Sequence, residues 1–141
     1  MSIFGFGGPE KRKKPLVLVV DDDALLSEMI CALLDEIHCD TIRTDDGVEA
    51  LEIVAEKKPD LVLLDVVMPA MSGVNVLRGI KQNSATKKIP VMMVSGEQKG
   101  YDLDTAFRLG AADYIIKPVR KAEFEAKVKA VLSHSGYPVP Q

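Results

Sequence analysis

The stretch "LVLVVDDDAL", Leu16 to Leu25, poses the question on which the fold turns. Five apolar residues in a row read as a strand covered on both faces, since a strand with one wet face would alternate. Three carboxylates, Asp21, Asp22 and Asp23, follow side by side. Adjacent anions repel one another, and more strongly as solvent is lost. The rest of the chain must say what relieves them.

Outward from this stretch, two patterns alternate. Short apolar runs recur at "PLVLVV", "CDTIR", "DLVLLD", "IPVMMVS" and "DYIIK". Between them lie segments of helical spacing, clearest in "ALLSEMICALLDEIH". There Leu25, Leu26, Met29, Ile30, Leu33, Leu34 and Ile37 are expected to form one apolar stripe. Residues 47–57, 73–83, 100–109 and 121–133 behave similarly, and in the last of these Phe124, Val128, Val131 and Leu132 share a side. Five strands alternating with five helices predict parallel pairing, because parallel neighbours need crossover connections. The more polar "CDTIR" is expected at an edge. The result is an open α/β sandwich whose ligand site lies at the carboxyl ends of the strands.

That rim collects residues far apart in sequence. The first strand ends in Asp21 to Asp23, the third in Asp65, the fourth in Ser95 and Gly96, the fifth in Lys117 and Pro118. Carboxylates converging beside one lysine suit Mg²⁺, a hard cation that takes one or two carboxylates plus phosphate oxygens. A carboxylate beside such an ion can act as a nucleophile toward a phosphoryl group, with lysine and hydroxyl sharing its charge. Each residue also has a plainer role. Asp23 is expected to cap the helix starting near Ala24, and taken alone "DDD" is a cap plus a solvated loop. Asp65 can open a turn before Pro69, Ser95 can serve a turn, and Lys117 can be a surface lysine. Four strand ends supplying the parts of one site argue jointly for chemistry.

Bulk properties exclude other classes. The chain has 141 residues, 18 basic and 21 acidic, net −3. The first fourteen hold four of the cations and one acid, leaving 14 basic and 20 acidic residues, net −6, in the remainder. An acidic body offers no footprint for nucleic acid. No apolar run spans a bilayer and no signal-peptide layout opens the chain. Cys31 and Cys39 are too few for a disulfide framework and read as buried thiols in a reducing compartment.

Taken together, "LVLVVDDD", "PDLVLLDVVMPAMSG", "PVMMVSG" and "GAADYIIKP", in this order and spacing, resemble the receiver domain of two-component response regulators from about Pro15 to Leu132. The resemblance implies a flavodoxin-like α/β fold, a five-stranded parallel sheet in the order 2-1-3-4-5 flanked by five helices. It implies Asp65 as phosphoacceptor. Asp21, Asp22 (the better direct ligand), Asp65 and the backbone carbonyl of Val67 would hold Mg²⁺, with Mn²⁺ as a substitute. Ser95 and Lys117 would bind the phosphoryl group, Ser95 and Tyr114 would form the switch, and Lys117–Pro118 would be a cis peptide. Ser72 stands where members often have Asp. Val67 and Glu97, each two residues past a site group, border the path of a hydrolytic water and are expected to set the phosphoryl lifetime.

The expected layout is a flexible basic tail over 1–14, a receiver over 15–133 and a flexible tail over 134–141. With nothing expected to follow, a stand-alone cytoplasmic receiver is predicted, not an enzyme beyond its own phosphorylation and hydrolysis. A histidine kinase or phosphotransfer protein would be the donor. The output would be protein contact through the fourth helix, fifth strand and fifth helix, as a monomer or a phosphorylation-linked dimer, without nucleic acid. Lys11 to Lys14, with Phe4 and Phe6 upstream, are expected to be solvated, since four charges do not give stable membrane attachment without a second signal. A flavin protein is disfavoured because "DDDALL" would repel the FMN phosphate. A degenerate receiver would lack one of the site residues. An aspartate-nucleophile phosphatase would need a paired D-x-D, absent at "LLDVV".

Overall fold

The computed structural model describes residues 12–68, 71–96 and 100–134. Pro69, Glu97, Lys99 and the chain ends, including Phe4, Phe6 and Lys11, lie outside the described residues. Strands β1 (Leu16–Val20), β2 (Asp40–Thr44), β3 (Leu61–Leu64), β4 (Val91–Ser95) and β5 (Asp113–Ile116) alternate with helices α1 (Ala24–Glu36), α2 (Gly47–Lys57), α3 (Gly73–Gln82), α4 (Gly100–Arg108) and α5 (Lys121–Ser133). All strand pairs are parallel, in the order β2-β1-β3-β4-β5, so β2 lies at an edge as its polarity predicts.

Two cores explain the unbroken apolar runs. In β1, Leu18 and Val20 face one core while Val17 and Val19 face the other; β3 and β4 divide their residues the same way. The first core is closed by Ala50 and Val54 of α2, Val76, Leu77 and Ile80 of α3, and Ala106 of α4. The second is closed by Ile30 and Leu34 of α1 and by Phe124, Val128 and Leu132 of α5. A strand that feeds both has no polar position to spare.

Local chemistry starts the helices where the sequence indicates. Asp23 accepts from the Leu26 N–H (3.1 Å), Asp46 from Val48 N–H (2.7 Å), and Ser72 from Asn75 N–H (3.4 Å). Ser72 thus caps α3, and a hydroxyl suffices for one orphan donor.

Two expectations need correction. The α1 stripe does not include Leu25 or Met29, which are 81% and 41% exposed; Ser27 takes their place in the interior. The buried line runs Ser27, Ile30, Leu34, and at 100° per residue Met29 sits roughly a third of a turn from its centre and Leu25 about half a turn. Seven apolar residues make a band wider than the sheet can cover. Of the two cysteines only Cys39 is buried, where loss of solvent, then Asp40 and Asp60, pushes its thiol up to about 11. Cys31 is partly covered.

Candidate functional site

Each sequence-predicted group reaches the rim by its own strand end. The Asp21 N–H donates to the Thr44 carbonyl (3.1 Å) and the Asp65 N–H to the Val20 carbonyl (3.0 Å), so the ladder continues one residue past β1 and β3. That extension fixes both carboxylates beside each other. Asp21, Asp22 and Asp65 place carboxylate oxygens within 4.8 Å of one another. Asp21 and Asp65 are buried, and Asp22 is exposed. Asp23 is not part of the cluster; its side chain caps α1, while its N–H donates to Asp21 Oδ1 (2.8 Å).

Lys117 enters from the opposite side. Its N–H donates to the Ser95 carbonyl (3.0 Å), and its peptide bond to Pro118 is cis. Its ammonium lies 3.3 Å from Asp21 Oδ2 and 3.6 Å from Asp65 Oδ2. The Val67 N–H holds Asp65 Oδ1 (3.3 Å). Burial pushes the Asp65 carboxyl up from 3.8 to about 6, reinforced by Asp21 and Asp22 and opposed by Lys117 and the Val67 N–H. Three carboxylates against one ammonium leave an excess of negative charge, and that chemistry fits a divalent cation bound by oxygen ligands.

Ser95 ends β4 almost fully buried, and Gly96 beyond it leaves open space, with Lys117 Cβ 3.9 Å from where a side chain would begin. Tyr114 is also buried, its ring in the core beneath α3 and α4. It pairs with Met93, two residues before Ser95, so it shares a sheet face with the hydroxyl. Val67 is 54% exposed beside Asp65. Glu97 lies outside the described residues.

One site requirement escapes sequence reasoning. Gly73 opens α3 with its N–H on the Val66 carbonyl (2.8 Å), and a Cβ there would stand 1.9 Å from the Asp65 carbonyl oxygen. Only glycine lets α3 approach the loop that carries Asp65. A glycine after a capping serine gives no hint of this, because the collision is with residues eight positions earlier in the chain.

Residues 17–129 match the model of the response regulator receiver domain. The chain belongs to that family. This receiver domain is 40% identical over 116 residues to the DNA-binding response regulator MtrA of Mycobacterium tuberculosis, covering 82% of this chain and 50% of the relative. It is 33% identical over 120 residues to the phosphate regulon transcriptional regulatory protein PhoB of Pseudomonas aeruginosa, covering 85% and 52%. The chain therefore spans about half the length of the curated relatives it matches. Among solved structures, a putative response regulator from Chloroflexus aurantiacus superposes with a TM-score of 0.81 at 29% identity, covering 85% of this chain and 98% of the other. The signal receiver domain of a putative Luxo repressor protein from Vibrio parahaemolyticus gives 0.82 at 25% identity, covering 87% and 93%. The family and the 2-1-3-4-5 sheet agree with what the motifs imply. Among the described residues, no helix is long and apolar enough to cross a membrane.

Proposed function

We propose that this receiver accepts one phosphoryl group on Asp65 from a phosphohistidine of a histidine kinase or phosphotransfer protein. The observation that supports it is the meeting of a buried, proton-avid Asp65 with Lys117 and the acidic pair Asp21 and Asp22 at the ends of three strands. Above its pKa of about 6 the carboxylate is ionised and nucleophilic. An Asp65 oxygen forms the new bond to phosphorus, the phosphorus–nitrogen bond breaks, and the donor imidazole leaves with the electron pair. Val67 N–H orients the carboxylate, and the Lys117 ammonium and Ser95 hydroxyl take up charge on the transferred oxygens.

Asp21, Asp22, Asp65 and the Val67 carbonyl would hold Mg²⁺, for which Mn²⁺ can substitute. When bound, the ion neutralises the carboxylate cluster and the phosphoryl oxygens. The domain turns over no substrate beyond its own aspartyl-phosphate.

Signal output follows from the same contacts. Drawing the Ser95 hydroxyl toward the phosphoryl group frees space on the face it shares with Tyr114, which shifts the population of ring positions and alters the α4–β5–α5 surface for a protein target. We place these events in the cytoplasm, where a buried thiol such as Cys39 stays reduced.

The test is intact mass after incubation with Mg²⁺ and a small phospho-donor. One added phosphoryl group is expected, absent in Asp65→Asn and in EDTA. Equal labelling of that variant refutes the assignment.

A further inference from the structure

A serine on the buried side of α1 marks a second cavity. Ser27 is 3% exposed, and its N–H donates to the Asp23 carbonyl (3.0 Å). Among the described residues its hydroxyl has no hydrogen-bond partner. Buried hydroxyls are ordinarily bonded, so this one calls for a group that reaches it. Ser27 lines a cavity of about 370 Å³ between the start of α1 and the β2–α2 connection. Asp21 and Asp22 line it too, which sets it against the carboxylate cluster; Asp65 and Lys117 are not among its walls.

The remaining walls are mostly charged. At the end of β2, the Thr44 hydroxyl donates to the Glu49 carboxylate and accepts from the Asp46 N–H (3.1 Å). That hydroxyl is engaged, while Glu49, with two oxygens, keeps room to accept another bond. Asp45 and Arg43 also line the cavity, and both are exposed. Among the described residues, Asp22, Asp45, Glu49 and Arg43 form no ion pair. Among those residues, the carboxylates whose oxygens gather within 4.8 Å are Asp21, Asp22 and Asp65, so Asp45 and Glu49 do not join that metal cluster. Even with a divalent cation on Asp21 and Asp22, these two acids outnumber Arg43.

We infer that this cavity binds a guanidinium group. An anion would meet an excess of carboxylates. The ligand must bring positive charge and several donors, because the carboxylates only accept and the Ser27 hydroxyl can accept as well. A guanidinium presents five N–H groups in a plane and pairs with a carboxylate through two parallel bonds. An ammonium is a compact point charge and more strongly hydrated, so it spans fewer of these acceptors and gives up more water on entry. Leu25 and Val48, next in sequence to the wall residues Ala24 and Glu49, are exposed. They supply apolar surface of the kind on which an arginine's methylene stem packs. The group can come from a free ligand or from an arginine of a partner protein. This inference does not depend on phosphoryl transfer to Asp65.

The experiment is an amide NMR titration of the full chain with arginine amide, with and without excess Mg²⁺. Saturable shifts at Ser27, Thr44 and Glu49 are expected in both conditions. Their loss in Mg²⁺ assigns the cation to the carboxylate cluster and overturns the inference. Lysine amide should bind about threefold more weakly; equal affinity reduces the effect to charge and overturns the guanidinium assignment. Ser27→Ala should weaken arginine amide about threefold with the thermal unfolding midpoint retained or raised, since it deletes a hydroxyl without a partner. Glu49→Gln should weaken it about fivefold. Glu52→Gln, exposed on α2 but outside the cavity, should leave it unchanged. Equal loss in these two variants overturns the inference, as does the absence of saturable shifts, which leaves the Ser27 hydroxyl to solvent. The peptide acetyl-Leu-Arg-Leu-amide separates the sources. Tighter binding than arginine amide, with the gain lost in Leu25→Ser, identifies a protein's arginine; equal binding identifies a free ligand.

Discussion

Asp65 holds a proton more tightly than a solvated aspartate because folding removes its water and brings Asp21 close. The sign of the consequence follows from linkage. With a folded pKa of about 6 against 3.8 unfolded, the native state binds more protons in that window, so Asp65 favours folding at low pH and opposes it above pH 6. In EDTA, Asp65→Asn should therefore unfold at a higher temperature than the native chain at pH 7.5, and the gap should close as pH falls to about 4. Gly73 is the complementary case. Its Cβ would strike three backbone atoms of Asp65 and Val66 within 3 Å, none able to step aside. Gly73→Ala should cost roughly 1–3 kcal/mol by denaturant titration and slow Asp65 labelling. At Val67 the expected effect is on lifetime. With phosphoryl transfer to Asp65 as proposed, an exposed β-branched side chain without donor or acceptor would shield the phosphoryl group and orient no water. Decay of phospho-Asp65 in purified protein with Mg²⁺ should be faster in Val67→Asn; an unchanged or slower decay removes the shielding argument.

At the scale of elements, α1 shows why apolar spacing is a poor guide to depth. The sheet's second face covers the Ser27, Ile30 and Leu34 side of the helix, and Leu25 lies on the opposite side. Leu34→Ala should cost about 2–5 kcal/mol in chemical denaturation, because it empties space between α1 and the strands. Leu25→Ser should change stability by no more than about 0.5 kcal/mol, as surface substitutions do. Equal effects would contradict the observed seating of the helix. Within α3, Lys81 turns inward to donate to the Lys87 and Ile89 carbonyls (3.0 and 2.7 Å), and burial lowers its pKa. This lysine closes the α3–β4 connection, leaving Lys87 and Lys88 exposed.

For the whole molecule, the carboxylate cluster couples ligand to stability. An ion bound by the native state alone, at a hundred times its Kd, stabilises by about 2.7 kcal/mol. Thermal unfolding at pH 7.5 should rise by several degrees with Mg²⁺ and return on chelation. Asp22→Ala should lose most of the rise, because it removes the solvent-facing ligand of the cluster. A full rise in that variant would place the ion elsewhere.

The alternation of apolar runs with helical segments settled the α/β class, since a crossover is the only short way to join parallel neighbours. The same reading found the rim, because parallel strands must all end on one side. Asp21, Asp22, Asp65, Ser95 and Lys117 were legible for that reason: each sits at the end of a strand or within two residues past it. Tertiary structure alone decided the rest. Which side of α1 is buried depends on how the helix is rolled against the sheet. The demand for glycine at position 73 comes from the angle at which α3 meets the Asp65 loop. Sequence patterns record what each segment must bury; which segments then touch is fixed only when the packed sheet brings them together.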